Sequence, residues 1–120
     1  MSEETMDLAK LRIDWEKLPE DYPMEGICRK RIIGEKAMLS RVVLMAGTIV
    51  PVHSHENEQF GLLLSGRMLF TLGDEGKEVE LLAGEVIHLP SNLKHGAIAA
   101  EDSVILDVFS PPSEKTGIDR

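Results

Sequence analysis

The stretch GTIVPVHSHENEQFGLLLSG, residues 47–66, decides the fold. It opens on Gly47 and closes on Gly66, and between them it sets His53, His55 and Gln59 in a run of strand-forming residues. Side chains at i and i+2 of an extended strand share a face, so His53 and His55 point together. A second stretch, GEVIHLPSNLKH, residues 84–95, supplies Gly84, Pro90 and His95. Imidazole and amide both offer lone pairs, and His95 would complete a mixed nitrogen and oxygen site. Three of the four histidines and one amide thus fall where a small β-barrel turns them inward around one metal ion.

Outward from this stretch the same strand rhythm continues. Short apolar runs occupy 27–33, 37–45, 59–64, 67–72, 78–82, 85–89, 95–100 and 103–109, separated by Gly, Pro, Asn and Asp. That spacing predicts an all-β sandwich or barrel. Gly73-Asp74-Glu75-Gly76 tolerates positive φ and predicts a hairpin. Pro111-Pro112 ends the last strand, since proline cannot donate to a ladder. No helix of three turns with 3.6 periodicity is visible. Residues 1–24 read as a polar N-terminal arm, 25–112 as the barrel domain, and 113–120 as a short polar tail. Trp15 and Tyr22, isolated in the arm, are expected to dock onto a body, this chain's or a partner's.

The chain has 120 residues, the size of one domain with a core that needs no staples. Its one cysteine, Cys28, excludes an intramolecular disulfide and fits a reducing cytoplasm. The acidic start MSEETMDLAKL lacks the basic and apolar regions of a signal peptide, and no run is long enough to span a bilayer. A soluble, cytoplasmic protein without a membrane partner is expected. The net charge of −8 repels phosphate backbones, which argues against nucleic acid. It does not exclude a small anionic substrate, because a metal dominates the field of its own cavity.

The pattern from Gly47 through His53, His55 and Gln59 to Gly66 resembles the first motif of the cupin superfamily. Gly84, Pro90, Asn92 and His95 resemble the second. The resemblance implies an all-β, double-stranded β-helix (jelly-roll) barrel, one divalent metal per subunit held by His53, His55, Gln59 and His95, and a homodimer. Asn92 stands where a turn glycine is usual, and asparagine also tolerates the left-handed region. Gln59 stands where glutamate is commoner. Three imidazoles and an amide are neutral, so the ion keeps its full charge and is a stronger Lewis acid. These ligands suit Zn, Ni, Co, Mn, Fe and Cu alike.

The string Asp107-Val108-Phe109-Ser110-Pro111-Pro112, with His53, His55 and Glu58-Gln59, is similar to the pectin-degradation cupins. These convert 4,5-unsaturated uronates from pectin or alginate into linear keto sugars. The resemblance implies a small sugar-acid substrate with Asp107 and Phe109 beside it; Ser113 stands where that family has an arginine. The residues bear on this too. One face of the last strand carries Val104, Leu106 and Val108, the other Ile105, Asp107 and Phe109. If the second face is inward, Asp107 sits in an apolar wall with a raised pKa and can shuttle protons. Arg41 shares parity with Leu39 and Val43. Inward, it is an anion anchor beside Asp107 and Phe109; outward, it is a solvated arginine. His88 reads as packed or at the surface, with a place in the cavity wall as the alternative. An oxygen-dependent cupin enzyme would share every ligand, and a non-catalytic metal- or ligand-binding module would need no Asp107.

Overall fold

Strands form where aliphatic residues alternate with polar ones between turn residues, and the computed structural model, which describes residues 3–119, has ten of them. They are β1 (Asp21–Met24), β2 (Ile27–Ile33), β3 (Met38–Leu44), β4 (Ile49–His53) and β5 (Glu58–Ser65). The rest are β6 (Arg67–Leu72), β7 (Lys77–Leu82), β8 (Val86–Leu89), β9 (His95–Ala99) and β10 (Ser103–Ser110). A six-stranded sheet runs β1-β2-β3-β10-β5-β8 and a four-stranded sheet β4-β9-β6-β7, with every pairing antiparallel. This is the expected jelly roll. Among the described residues no helix is long and apolar enough to cross a membrane.

Two strands lie outside the apolar runs, and both contain a proline: β1 falls in the stretch that reads as the arm, and β4 is marked by the His53 spacing alone. β1 holds Pro23 and β4 holds Pro51, each at the edge of its sheet. There a missing N–H costs no ladder bond, although the proline breaks the alternation by which strands are read. The stretch before β1 makes three short 3₁₀ turns, with Asp7 and Asp14 accepting from the backbone N–H of Ala9 and Glu16. Trp15 is half-buried and its carbonyl accepts from Lys30 Nζ at 2.9 Å. Tyr22 does not dock onto this chain's own barrel: it is 70% exposed and its hydroxyl donates to Glu20.

The core lies between the sheets. Ile27, Val42, Leu44, Leu63, Leu89 and Ile105 from the large sheet meet Met68, Phe70, Leu81 and Ala99 from the small one. Removing a side chain such as Leu63 from water contributes roughly 1.5–3 kcal/mol. β10 shows the alternation most cleanly: Ser103, Ile105, Asp107 and Phe109 are buried while Val104, Leu106 and Val108 are half-buried on the outer face. Cross-strand partners share a face. Val43, Leu106, Leu62 and Val86 therefore form an outer apolar surface with Phe60, Val104 and Val108.

Candidate metal centre

His53 ends β4 and pairs in register with His95, the first residue of β9. Both belong to the small sheet. His55 lies two residues on, in the loop to β5 rather than in the strand. The loop is pinned at that residue: the Asn92 N–H donates to the His55 carbonyl at 2.8 Å, and Asn57 Nδ2 donates to the Pro111 carbonyl. Asn92 makes this contact with a φ of 67°, the left-handed conformation the sequence allowed for. The shared face expected for His53 and His55 is thus reached by a fixed loop. Their rings lie 5.6 Å apart, and the His95 ring is 4.3 Å from His53 and 5.0 Å from His55.

Each imidazole has its Nδ1 against a backbone carbonyl. Nδ1 of His53 meets the carbonyl of Pro51 at 2.8 Å, that of His55 meets Asn57 at 3.0 Å, and that of His95 meets Leu93 at 2.9 Å. A carbonyl only accepts, so Nδ1 carries the proton and Nε2 keeps its lone pair. Metal-binding histidines are oriented by this device. One nitrogen from each ring falls within 4.8 Å of the others. Burial pushes the His95 imidazole down to about 4, with His53 and His55 adding to the effect against the Leu93 carbonyl. Burial also lowers His55, opposed by the Asn57 carbonyl and reinforced by His53. Both rings are therefore neutral at pH 7, as ligands must be.

His55 Nε2 is the decisive atom. It is buried and has no hydrogen-bond partner among the described residues. A buried lone pair left unmatched is costly, and a cation shared with the other two rings would satisfy it. The donor set therefore fits a divalent metal. Gln59 lines the same cavity; its Nε2 donates to Asp107 Oδ1 at 3.0 Å, which leaves its carbonyl oxygen as the free donor.

Asp107 faces inward on β10, opposite Gly61 of β5 and Ser40 of β3. Gly61 makes the room: a Cβ there would fall 3.0 Å from Asp107 Oδ1 and 2.9 Å from Ile105. Burial among apolar neighbours pushes the Asp107 carboxyl up to about 7, with the Gln59 amide pulling the other way. Near neutral pH the group can both give and take a proton. Phe109 is buried on the same face, its ring edge-on to His55 at 5.9 Å.

Arg41 is not part of this site: of its two readings the outward one holds, and its expected role as an anion anchor is corrected. It pairs across from Leu106, on the outer face, while its neighbours Ser40 and Val42 line the cavity. Parity placed Arg41 with Val43 correctly, but that face turns outward. His88 lies at the surface, stacked on Phe60 at 4.4 Å and paired with Glu58. Sequence reasoning missed Thr116 and Ile118, which line the cavity with His53, Gln59 and His95. Ile118, the one aliphatic residue in a polar tail, was the available signal.

The family model for the cupin domain matches residues 40–109 of this chain. Among solved structures, KdgF from Halomonas sp. is similar at 29% identity and a TM-score of 0.76, over 82% of this chain and 91% of that one. An RmlC-like cupin from Shewanella frigidimarina is similar at 23% identity and a TM-score of 0.76, over 82% and 88% of the two chains. A variant oxalate decarboxylase from Bacillus subtilis shares the fold at 19% identity and a TM-score of 0.74, over 85% of this chain and 30% of that one. No curated protein matches.

Proposed function

The chain belongs to the cupin family, and from that premise we propose that it is a metal-dependent enzyme that opens the ring of a 4,5-unsaturated uronate to its linear keto form. The observation that carries this reading is Asp107, a buried carboxyl raised to about 7 and hydrogen-bonded to Gln59 beside three convergent imidazoles. The likeness to Halomonas KdgF supports it, in line with the sequence resemblance to the pectin-degradation cupins.

His53, His55 and His95 would hold a divalent ion, with the Gln59 carbonyl oxygen as fourth donor. When bound, such an ion supplies Lewis acidity toward substrate oxygens and lowers the pKa of a hydroxyl. The proton traffic belongs to Asp107. Its carboxylate takes the proton of the anomeric hydroxyl as the bond between the anomeric carbon and the ring oxygen breaks. The electron pair stays on the ring oxygen as an enolate at C5. Asp107 then returns a proton to C4, leaving a ketone at C5 and an aldehyde at C1. One proton leaves and one is returned, so neither water nor a redox partner is consumed. Gln59 holds Asp107 in place through its amide, and Phe109 keeps the site dry on the β10 side.

The test is the ultraviolet absorbance of the conjugated double bond after metal-loaded protein is mixed with unsaturated galacturonate. The expected result is a decay faster than the spontaneous one. Decay at the buffer rate, with metal shown to be present, refutes the reading.

A further inference from the structure

The free space at the centre of the cavity is about 50 Å³, room for a few waters. Sites for small molecules begin near ~300 Å³. What fills the remainder is the chain itself. Residues 113–119 fold back over the mouth without regular structure. Thr116 is buried there, 5% exposed, and Ile118 packs against the core. Between them Gly117, at a φ of +94°, lies so close to His53 that a Cβ would fall 2.2 Å from its Nε2. Only a residue without a side chain fits against that ligand edge.

The segment is anchored by one buried cation. Arg29 on β2 is 2% exposed and is the only arginine or lysine buried among the described residues. Its Nε and Nη2 donate to Asp21 at 3.0 and 2.7 Å. Its Nη1 and Nη2 donate to Asp119 at 3.3 and 2.7 Å. Asp119 also accepts from the Thr116 N–H at 2.9 Å, and Arg31 donates to the Glu114 carbonyl at 2.7 Å. Arg29 stands two residues from Ile27 and in register opposite Val42, both of which line the cavity. Its side chain shares the buried face of β2 with Ile27 and lies behind the cavity wall, where Arg29, Asp21 and Asp119 line a neighbouring groove.

We propose that residues 113–119 are a displaceable strap over the metal cavity, and that the Nη1–Nη2 edge of Arg29, which holds Asp119 in the closed form, is the site that takes a substrate's carboxylate when the strap lifts. The proposal rests on the sugar-acid reading above for the identity of that carboxylate. The physical case has three parts. The strap has a single aliphatic anchor and no ladder bonds, so it belongs to the least stable part of the fold. Arg29 keeps its two-point pair with Asp21 on release, so its charge is never left bare in the protein. Exchanging the Asp119 carboxylate for a substrate carboxylate conserves local charge and uses the same planar fork.

The test uses full-length, metal-loaded protein, with saturated galacturonate as an unreactive probe and galactose as its uncharged counterpart. Binding is followed by calorimetry and strap position by amide hydrogen exchange of residues 113–119. Asp119→Asn weakens the clamp, and Ile118→Ser loosens the strap without touching the ion pair. Both are expected to tighten galacturonate binding ~10-fold, because a closed strap reduces the competent fraction. Galactose should bind weakly to all forms. Arg29→Lys, which keeps the charge but loses the fork, should abolish the gain while metal content stays at the wild-type level. Saturating galacturonate should speed exchange across 113–119. Unchanged affinity in both strap variants, no binding by any form, or exchange unaltered by saturating ligand overturns the proposal. If strap variants bind galacturonate more tightly but no form consumes unsaturated uronates, the strap and Arg29 site stand and the ring-opening reaction falls. If wild type consumes them and the strap variants neither bind nor react differently, the strap falls and the reaction stands.

Discussion

Asp107→Asn should make the metal-free protein more stable at alkaline pH while it removes turnover. The carboxyl ordinarily titrates at 3.8 and burial raises it to about 7 in the fold. A raised carboxyl pKa means the folded state binds more protons than the unfolded one between these values, so stability falls as pH rises through the interval. At about 1.36 kcal/mol per pKa unit, the full penalty above pH 7 is ~4 kcal/mol, a large share of the 5–15 kcal/mol that holds a small domain together. Asparagine has nearly the same shape, can still accept from Gln59, and never ionises. The gain from the substitution should therefore approach ~4 kcal/mol at pH 8 and shrink toward zero near pH 4. The wild type will show this poorly, because His95 titrates in the opposite sense. Its imidazole drops from 6.5 to about 4, so stability present above pH 6.5 is lost as pH falls toward 4, by ~3 kcal/mol. Subtracting the two proteins isolates Asp107. The assay is urea denaturation with a chelator present, at half-unit steps from pH 4.5 to 8. A difference between variant and wild type that does not change across that range refutes the buried, raised carboxyl.

With metal restored, Asp107→Asn should keep its ion yet lose ~10²–10⁴-fold in turnover on an unsaturated uronate, the usual contribution of a positioned acid or base. The protein should bind about one divalent ion per chain, and His55→Ala should lose most of it by elemental analysis, since the ion would lack a member of its shell. Gln59→Glu should hold metal at least as well but raise KM for an anionic sugar acid, because it adds negative charge at the site. A homodimer is expected through the outer face carrying Val43, Phe60, Leu64 and Val86, all exposed large apolar residues. Light scattering should give twice the chain mass, and Phe60→Glu should give the monomer.

Much of the site was legible because its spacing is local. His53, His55 and Gln59 fall within seven residues, and alternation puts Ile105, Asp107 and Phe109 on one face of β10. His95 was readable because turn residues around Asn92 bring β9 back beside β4. Period-two alternation, however, states only that residues share a face and not which face is inward. Leu39, Arg41 and Val43 alternate as well as Ser40 and Val42 do. Pairing with β10 decides between them, since Asp107 stands opposite Ser40 and Leu106 opposite Arg41.

The sequence alone determined most of the strand pattern, an all-β sandwich or barrel and the convergent histidine spacing, because short-range stereochemistry and turn residues are enough for these, while the jelly roll came from the motif resemblance to the cupins. Only the tertiary structure decided which cation is buried. Arg29 and Asp119 are 90 residues apart, one in a strand and the other in a polar tail with no periodic pattern. Nothing local favours their meeting. They come together because a buried guanidinium must be matched by carboxylates, and the tail that folds back against the barrel supplies the second one, beside Asp21.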